Sequence, residues 1–228
     1  MKKTAKFLTL ALALTAGSAT AAQAADFKVG VDLVNTYVWR GTEINNSPNI
    51  QPAVSYTLKD SGIVIGAWGS AAATETASAN PTRRQEVDLY ATVPAGDFSF
   101  TVTNYYVNSA TSKTFDFSND GPNVVELSAA YAKDSLSLLA AINVAGSELA
   151  GAKSAKYAEA GYKVYDKDGY TAKAVVGVGD KDFYGDLSAT SKIAVVNTGI
   201  SVAKDRYTAS FVYNPDTEKS SLVFMASF

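Results

Sequence analysis

The sequence predicts an all-β protein, an antiparallel transmembrane β-barrel of about 12 strands that follows a cleaved signal peptide. Three observations lead to this prediction. The chain begins with an export leader. Apolar and polar residues alternate along segments of about ten residues. Short and long connections between these segments alternate along the chain. Together they favour a protein that crosses a membrane with strands.

The first 24 residues have the three parts of a secretory signal peptide. Lysines within residues 2–6 give a positive start, residues 7–16 are an apolar core, and residues 22–24 (Ala-Gln-Ala) fit the small-x-small pattern before a cleavage site. The apolar core is shorter than the roughly 20 residues of a spanning helix, which disfavours an uncleaved membrane anchor. We therefore expect a signal peptide over residues 1–24 and one barrel domain over residues 25–228, in a bacterium of the Gram-negative type.

The composition limits the chemistry that the chain can perform. It contains no cysteine, and therefore neither a disulfide nor a thiolate metal site, and no histidine, the commonest general base. Hydrolases built on a Ser-His-Asp triad need that base. We expect no catalytic residues, no cofactor and no metal. The formal net charge of −2 argues against nucleic acid as a partner, because nucleic acid binds to a basic face.

Alternation of side chains is the main signal for strands. In the first segment Phe27 and Leu33 share an apolar face with Tyr37 and Trp39, and polar residues that include Arg40 occupy the other face. Because a strand points successive side chains to opposite sides, each segment predicts one apolar and one polar face. The pattern of residues 63–73 does not assign their faces. The predicted strands are 27–40, 48–59, 63–73, 84–93, 97–108, 123–133, 135–145, 155–166, 169–179, 191–203, 206–214 and 219–228.

The connections between these segments differ in length in a regular way. Tight turns rich in Gly, Pro and Asp occur at 60–62, 94–96, 133–134, 166–169 and 204–205. Longer polar links lie between them, at 41–47, 74–83, 109–122, 146–154, 180–190 and 215–218. An outer-membrane barrel has short periplasmic turns and longer outer loops. The sequence therefore predicts that every long link lies on the outer side.

Aromatic residues mark the ends of the predicted strands. Strands begin at Phe27, Phe98, Tyr170 and Tyr207 and end at Tyr37, Trp39, Tyr106 and Tyr213. At lipid-facing positions these side chains would form two interfacial belts. The final alternating strand ends in Phe228, a pattern that indicates recognition by the barrel assembly machinery. The expected partners are this machinery and the lipid bilayer of the outer membrane, and the sequence predicts no particular oligomeric state.

Several runs near the start of the barrel domain resemble a known family. Asn35-Thr36-Tyr37-Val38-Trp39-Arg40-Gly41 is similar to the N-terminal signature of the TorF-like porin family. Further similarities follow in the same order, namely Pro52-Ala53-Val54-Ser55-Tyr56, Gly62, Gly66-Ala67-Trp68-Gly69-Ser70 and Glu86-Val87-Asp88-Leu89-Tyr90. They cover about the first third of the barrel domain. The resemblance implies an outer-membrane barrel, suggests passive transport and supplies no catalytic or ligand-binding residues.

Charged residues on the predicted inward faces would line a lumen. They are Asp32, Glu86, Asp88, Glu126, Glu159, Lys163 and Lys173. Charges are costly to bury dry unless they are paired. Two alternatives stay open, a narrow water-filled channel that favours cations and a lumen locked shut by pairs of lysines and carboxylates. Barrels of about eight strands are filled by side chains, and barrels of 16 or more strands leave a channel. A barrel of about twelve strands lies between these sizes, so the strand number does not distinguish an open lumen from a closed one. Any pore would be narrowed by inward Tyr90, Tyr105, Tyr157 and Tyr165.

The sequence thus predicts a porin-like channel in the bacterial outer membrane for passive diffusion of small polar solutes or ions, with the lumenal charges as an electrostatic filter. The alternative is a non-conducting outer-membrane barrel whose outer loops, above all 74–83 and 109–122, bind a partner or support another envelope protein. A third interpretation is a soluble periplasmic β-protein, which carbonate extraction would release from membranes.

Overall fold

Alternating apolar and polar residues form a closed antiparallel barrel in the computed structural model, which describes residues 26–75, 83–107, 115–118, 121–146, 151–186 and 192–228. Within these ranges, twelve strands build the wall, and β2 and β3 form a separate hairpin. The elements are β1 (Asp26–Val34), β2 (Tyr37–Trp39), β3 (Thr42–Asn45), β4 (Asn49–Thr57), β5 (Val64–Ala72), β6 (Gln85–Ala95), β7 (Phe98–Val107), β8 (Asn123–Lys133), β9 (Leu136–Ala145), β10 (Lys156–Lys167), β11 (Tyr170–Asp180), α1 (Lys181–Tyr184), β12 (Ile193–Lys204), β13 (Tyr207–Asn214) and β14 (Lys219–Ser227).

The wall strands pair in chain order, and β1 closes the barrel between β4 and β14. The closing joint is short. Asp32, Leu33 and Val34 pair in register with Ser227, Ala226 and Met225. Beyond them, the Phe228 backbone N–H donates to the Val31 carbonyl at 2.9 Å, and the Val31 N–H donates to the Phe228 carbonyl at 3.1 Å. Closure leaves no unpaired sheet edge, which is the condition for a sheet to exist in lipid.

The tight turns all lie at one end of the barrel, together with Asp26 and Phe228. We call this the turn end and the opposite one the loop end. Aspartate adopts the left-handed conformation in several of the turns, with φ values of 52° at Asp134, 55° at Asp168 and 53° at Asp205. Aspartate tolerates this conformation better than most residues, so the turn residues in the sequence select these sharp reversals.

The two faces of the wall differ in polarity. Large apolar side chains are exposed on the outside, as the alternation predicts, among them Phe27, Leu33, Leu138, Ile200, Phe211 and Phe224. The inside carries small polar side chains that are buried, including Thr57, Ser99, Thr101, Thr103, Ser128 and Ser210. In β5, Trp68 and Ser70 point inward and Ile65 points outward. The pleat of the strands thus separates an apolar outer surface from a polar lumen.

The prediction of one strand over residues 27–40 is wrong at its second half. The chain leaves the wall after Val34 and enters the lumen, so Tyr37 and Trp39 do not belong to a lipid-facing belt. The link 41–47 is likewise no outer loop. It contains β3, which pairs with β2, and its Gly41 lies against the backbone of Val196 in the wall.

Tyr165 also faces the opposite way from its prediction. A bulge between Lys163 and Tyr165 adds one residue to β10 and shifts the alternation. As a result Tyr165 pairs with Ala172 and points outward, whereas Tyr90, Tyr105 and Tyr157 lie on the inner face.

Several predictions concern residues outside the described ranges. The signal peptide over residues 1–24 is among them, as are large parts of the loops 74–83, 109–122, 146–154 and 180–190. In the described part of the chain, no helix has the length and apolar character needed to cross a membrane.

Candidate functional site

The hairpin of β2 and β3, residues 37–45, lies inside the barrel, and we call it the inner hairpin. Its side chains contact inward residues of the wall. The Tyr37 ring lies 5.5 Å from the Trp68 ring of β5, and the Trp39 ring lies 5.6 Å from the Tyr105 ring of β7. Both tryptophans of the chain therefore sit in the lumen.

The tip of the inner hairpin is a sharp turn at Arg40 and Gly41, with φ values of 49° and +83°. A Cβ atom at Gly41 would stand 1.9 Å from the backbone oxygen of Val196 in β12. Only glycine fits, both because of the positive φ and because of this approach. Val196 is the extra residue of a bulge, since Gly177 pairs with Asn197 and Val178 pairs with Val195. The bulge and the glycine together bring the tip against the wall.

A buried ion pair joins the tip to the opposite wall. The Arg40 guanidinium donates from Nη1 to Oε2 of Glu126 at 2.6 Å and from Nη2 to Oε1 at 2.9 Å. The Arg40 and Glu126 side chains are 7% and 1% exposed. Bidentate pairs of this kind are short and geometrically specific. Glu126 lies on β8, which is on the other side of the barrel from β1, so the inner hairpin reaches across the lumen.

Aromatic rings enclose the Arg40 guanidinium. Its central carbon lies 4.6 Å from the ring centres of Trp39 and Tyr157 and 5.8 Å from that of Tyr184. Arg40 Nη1 also donates to the Tyr184 hydroxyl at 2.9 Å, and the Tyr105 hydroxyl donates to Glu126 at 3.2 Å. Cation–π contacts of a desolvated guanidinium add to the ion pair. The cluster satisfies a buried charge that would otherwise be costly.

Helix α1 completes the closure at the loop end. Tyr184 packs against Trp39 and Tyr157 at ring distances of 5.4 and 5.2 Å. Its backbone oxygen accepts from the Thr42 hydroxyl at 3.2 Å and from the Asn214 amide at 2.9 Å. We call the inner hairpin and α1 together the plug. Its parts come from distant segments of the chain and contact each other only because the barrel folds.

The base of α1 is anchored to the β13–β14 loop by an ion pair. Lys181 Nζ lies 2.6 Å from Oδ1 of Asp216, and the Asp186 backbone N–H donates to Oδ2 at 2.7 Å. Burial by itself would raise the pKa of the Asp216 carboxyl, but the Asp186 N–H and the Lys181 ammonium hold this pKa below its ordinary value. The carboxylate is therefore the form that retains α1.

The acidic residues predicted to line the lumen lie on the inner face, mostly in its loop-end half. Glu126 belongs to the ion pair with Arg40. Glu159 accepts from the Tyr157 hydroxyl at 2.7 Å and from the Asn197 amide at 3.0 Å. Asp32 is half-buried beside Ser227, with which it pairs in register.

Glu86 and Asp88 lie together on β6, behind the inner hairpin. Glu86 is hydrogen-bonded to the Tyr37 hydroxyl. Asp88 pairs in register with Trp68 and is 5% exposed, and its Oδ1 atom and the Trp68 indole nitrogen lack a hydrogen-bond partner among the described residues. Bound water is a common partner for such atoms.

The two predicted lysines lie nearer the turn end. Lys163 and Lys173 are in register with each other, and Lys163 forms an ion pair with Asp166 at 2.6 Å. Lys173 is half-buried, and its side chain lies over Gly161, where a Cβ would meet its Cε at 2.3 Å. Lys173 is close enough to Glu159 for their charges to interact, whereas the ion pair of Lys163 is with Asp166 near the turn end. In the described residues, no three acidic side chains converge to hold a metal.

Comparison with known proteins gives one family. Residues 18–224 match the family described as "Bacterial protein of unknown function (Gcw_chp)". The chain belongs to this family. No curated protein matches the sequence. The Gcw_chp match includes the whole plug and the barrel wall from β1 into β14, so both are parts of the region that the family covers.

In this Gcw_chp protein polar side chains are buried along the whole length of the lumen. Those of the loop-end half include Asn49, Gln51, Ser70, Glu86, Asp88, Glu126, Asn143 and Asn197, and those of the turn-end half include Thr57, Ser99, Thr101 and Ser137. Other inward side chains of the turn-end half are half-buried, including Ser55, Tyr90, Thr92, Lys173 and Ser201. The plug fills the loop end.

Sequence reasoning missed Arg40 and Tyr184 as central residues of the site. Arg40 stands in the run that resembles the TorF-like porin family, directly before Gly41. An Arg-Gly pair at the end of an alternating segment indicates that the strand does not continue in the regular way. Nothing local identifies Tyr184, because its neighbours in the site come from β2, β10 and β13.

Proposed function

We propose that this protein is an outer-membrane channel of the porin type, for passive diffusion of small polar solutes or ions, and not an enzyme. The supporting observation is the closed barrel with an apolar outer face and a polar inner face. Lipid accepts such a barrel because every strand is paired and the polar side chains face away from the bilayer. The turn end is then periplasmic and the loop end faces outward.

The charge arrangement supports a revised filter. Arg40 compensates Glu126, and Lys173 interacts with Glu159, which leaves Glu86 and Asp88 as two neighbouring carboxylates on β6. Carboxylates and negative partial charges near a constriction favour the passage of cations over anions. The cation preference proposed for this channel therefore depends on the β6 pair.

The deciding experiment is single-channel recording of the refolded mature protein in planar bilayers, with selectivity from reversal potentials. Replacing Glu86→Gln and Asp88→Asn together is expected to lower the cation preference while conductance steps persist. Asp134→Asn is the matched control, because Asp134 lies in a turn outside the lumen and asparagine tolerates its left-handed conformation. Unchanged selectivity in the double variant would refute the filter, and a folded barrel that shows no conductance steps even after removal of the inner hairpin would refute the channel.

A second candidate function is a non-conducting barrel that acts through its outer loops. The plug supports it, because Arg40, Trp39 and Tyr184 fill the lumen at the loop end. In that case the wild-type protein does not conduct, and deletion of loops 74–83 and 109–122 abolishes capture of a partner without affecting membrane insertion.

Recognition by the barrel assembly machinery is proposed for the C-terminal residue. The Phe228 backbone is fixed to Val31, while its ring is 56% exposed on the outer face. Phe228→Ala is therefore expected to slow assembly by the purified machinery and to leave spontaneous refolding into lipid vesicles at the wild-type rate. Equal slowing in both assays would show that Phe228 acts through folding alone.

A further inference from the structure

The inner hairpin is fixed to the wall at its two ends. At the start, Asn35 Nδ2 donates to the Leu222 carbonyl at 3.0 Å, and the Phe224 backbone N–H donates to Asn35 Oδ1 at 2.7 Å. At the other end, the Ala73 backbone N–H donates to the Pro48 carbonyl at 2.7 Å, and Asn49 donates to the Ser47 carbonyl at 2.6 Å. These contacts hold the base of the hairpin at the rim of the barrel.

Between these two anchors, the hairpin is no part of the wall ladder. Strands β2 and β3 pair with each other, and β1, β4 and β14 close the barrel without them. Withdrawal of residues 37–45 would therefore break no wall pairing. It would remove Tyr37, Trp39 and Arg40 from the lumen and leave a closed barrel.

The tip is held by several kinds of contact. Trp39 packs against Tyr105 and Tyr184, the Thr42 hydroxyl donates to the Tyr184 carbonyl, and Arg40 pairs with Glu126. The ion pair differs from the others because both ions regain hydration when they separate, so it stabilises the closed position only weakly relative to separation in water. A further contact, from the Ser221 hydroxyl to Oε2 of Glu43 at 3.3 Å, is exposed.

We propose that the inner hairpin is the gate of the lumen, with Arg40 and Glu126 as its latch. This inference rests on the channel function proposed above. In the closed state the guanidinium spans the lumen to β8, and Gly41 stands against Val196. In the open state the hairpin swings about its anchors at Asn35 and Pro48, and the polar wall lines a continuous passage.

The absence of cysteine makes a reversible lock possible. In the variant Glu43→Cys with Ser221→Cys, a short bis-thiosulfonate reagent joins the hairpin to β14. We expect cross-linking to lower the channel open probability by about tenfold or more, the range of a typical coupling between two states, and a reductant to restore it. The matched control is Lys204→Cys with Tyr207→Cys, a pair that is already in register across β12 and β13 at the turn end and is expected to show no change when linked.

Weakening the latch gives the opposite result. Glu126→Gln keeps a hydrogen-bond acceptor for Arg40 and removes the charge, so we expect the open probability to rise by about fivefold or more. A difference in gel migration between the unheated and the heated sample verifies that each variant is folded.

A variant with residues 37–45 replaced by a short Gly-Ser linker separates the two proposals. If the linker variant conducts continuously and the locked variant does not conduct, the gate is supported. If linked and unlinked proteins conduct equally, the gate is refuted while the channel stands. If even the linker variant is folded and never conducts, the channel function fails, and the gate with it.

Discussion

Arg40 illustrates how one residue defines the site. It carries the positive charge that makes a buried carboxylate at Glu126 tolerable, and three rings enclose it. A pair of this kind contributes little net stability compared with apolar residues of the same shape, but the loss of one partner leaves an uncompensated charge. Arg40 and Glu126 therefore specify the position of the inner hairpin more than they stabilise the barrel.

This difference can be measured with paired substitutions. Arg40→Ala is expected to lower the free energy of unfolding by about 3–5 kcal/mol, because Glu126 stays buried without a counter-charge. Arg40→Met combined with Glu126→Leu removes both charges and is expected to recover most of the free energy of unfolding that Arg40→Ala loses. Urea unfolding in lipid vesicles, followed by the fluorescence of Trp39 and Trp68, measures both. Equal losses in the single and double variants would contradict a compensating role.

Gly41 tests the position of the hairpin by steric means. Gly41→Ala places a Cβ against the Val196 backbone, so the tip is expected to leave its seat and Trp39 fluorescence to shift to the red. Gly96→Ala is the control, since Gly96 also has a positive φ, of +67°, but has nothing within 4 Å. The control is expected to cost only about 1–2 kcal/mol for the left-handed conformation. An unshifted spectrum in Gly41→Ala would mean that the hairpin does not occupy this seat.

At the scale of elements, the departure of the chain from the wall after Val34 is the decisive event. The Asn35 side chain binds the β14 backbone at Leu222 and Phe224, in place of a continued strand. From there the alternation of Tyr37 and Trp39 continues in a hairpin that pairs with itself. Alternation is the same in a wall strand and in a lumenal hairpin, so it does not distinguish them.

Helix α1 gives the plug a dependence on pH. Because the folded pKa of Asp216 lies below its ordinary value of about 3.9, the Lys181 pair contributes stability that is fully present above that ordinary value and is lost as the pH falls through the lower folded value. Acidification into this range is expected to release α1 and expose Trp39, which contacts Phe183 and Tyr184.

A fluorescence titration measures this release. Asp216→Asn lacks the titrating group and is expected to show the exposed Trp39 signal already at neutral pH, with no further transition of this kind at low pH. If the variant and the wild type titrate identically, Asp216 does not retain α1.

At the scale of the whole molecule, the barrel sorts side chains by face, and the two faces tolerate charge differently. Ile200 is exposed on the outer face near the middle of β12, and the adjacent Ser201 is half-buried on the inner face. Ile200→Arg is expected to lower the free energy of unfolding in lipid vesicles by about 2–4 kcal/mol, the cost of a cation near the bilayer midplane. Ser201→Arg is the matched control and is expected to change the free energy of unfolding by much less, because its side chain points into the lumen. Equal effects would indicate that the outer face does not contact lipid.

The sequence by itself determined the wall. Alternation set the eleven wall strands from β4 to β14 to within a few residues of their observed bounds, and also the start of β1, because the period of a strand is a local property of the backbone. Turn residues such as Asp134 and Asp168 placed the turn end for the same reason. The inward positions of Glu86, Asp88 and Glu126 followed from the parity of their strands.

Only the tertiary structure decided what fills the lumen. The pair of Arg40 with Glu126 joins residues far apart in the chain, and Tyr184 meets Arg40 from a third segment. The bulge at Val196 and the fit of Gly41 depend on the register of β11 with β12 and on the reach of the hairpin, neither of which has a local signature. Parity tells which way a side chain points, but closure of the barrel determines which side chains meet across it.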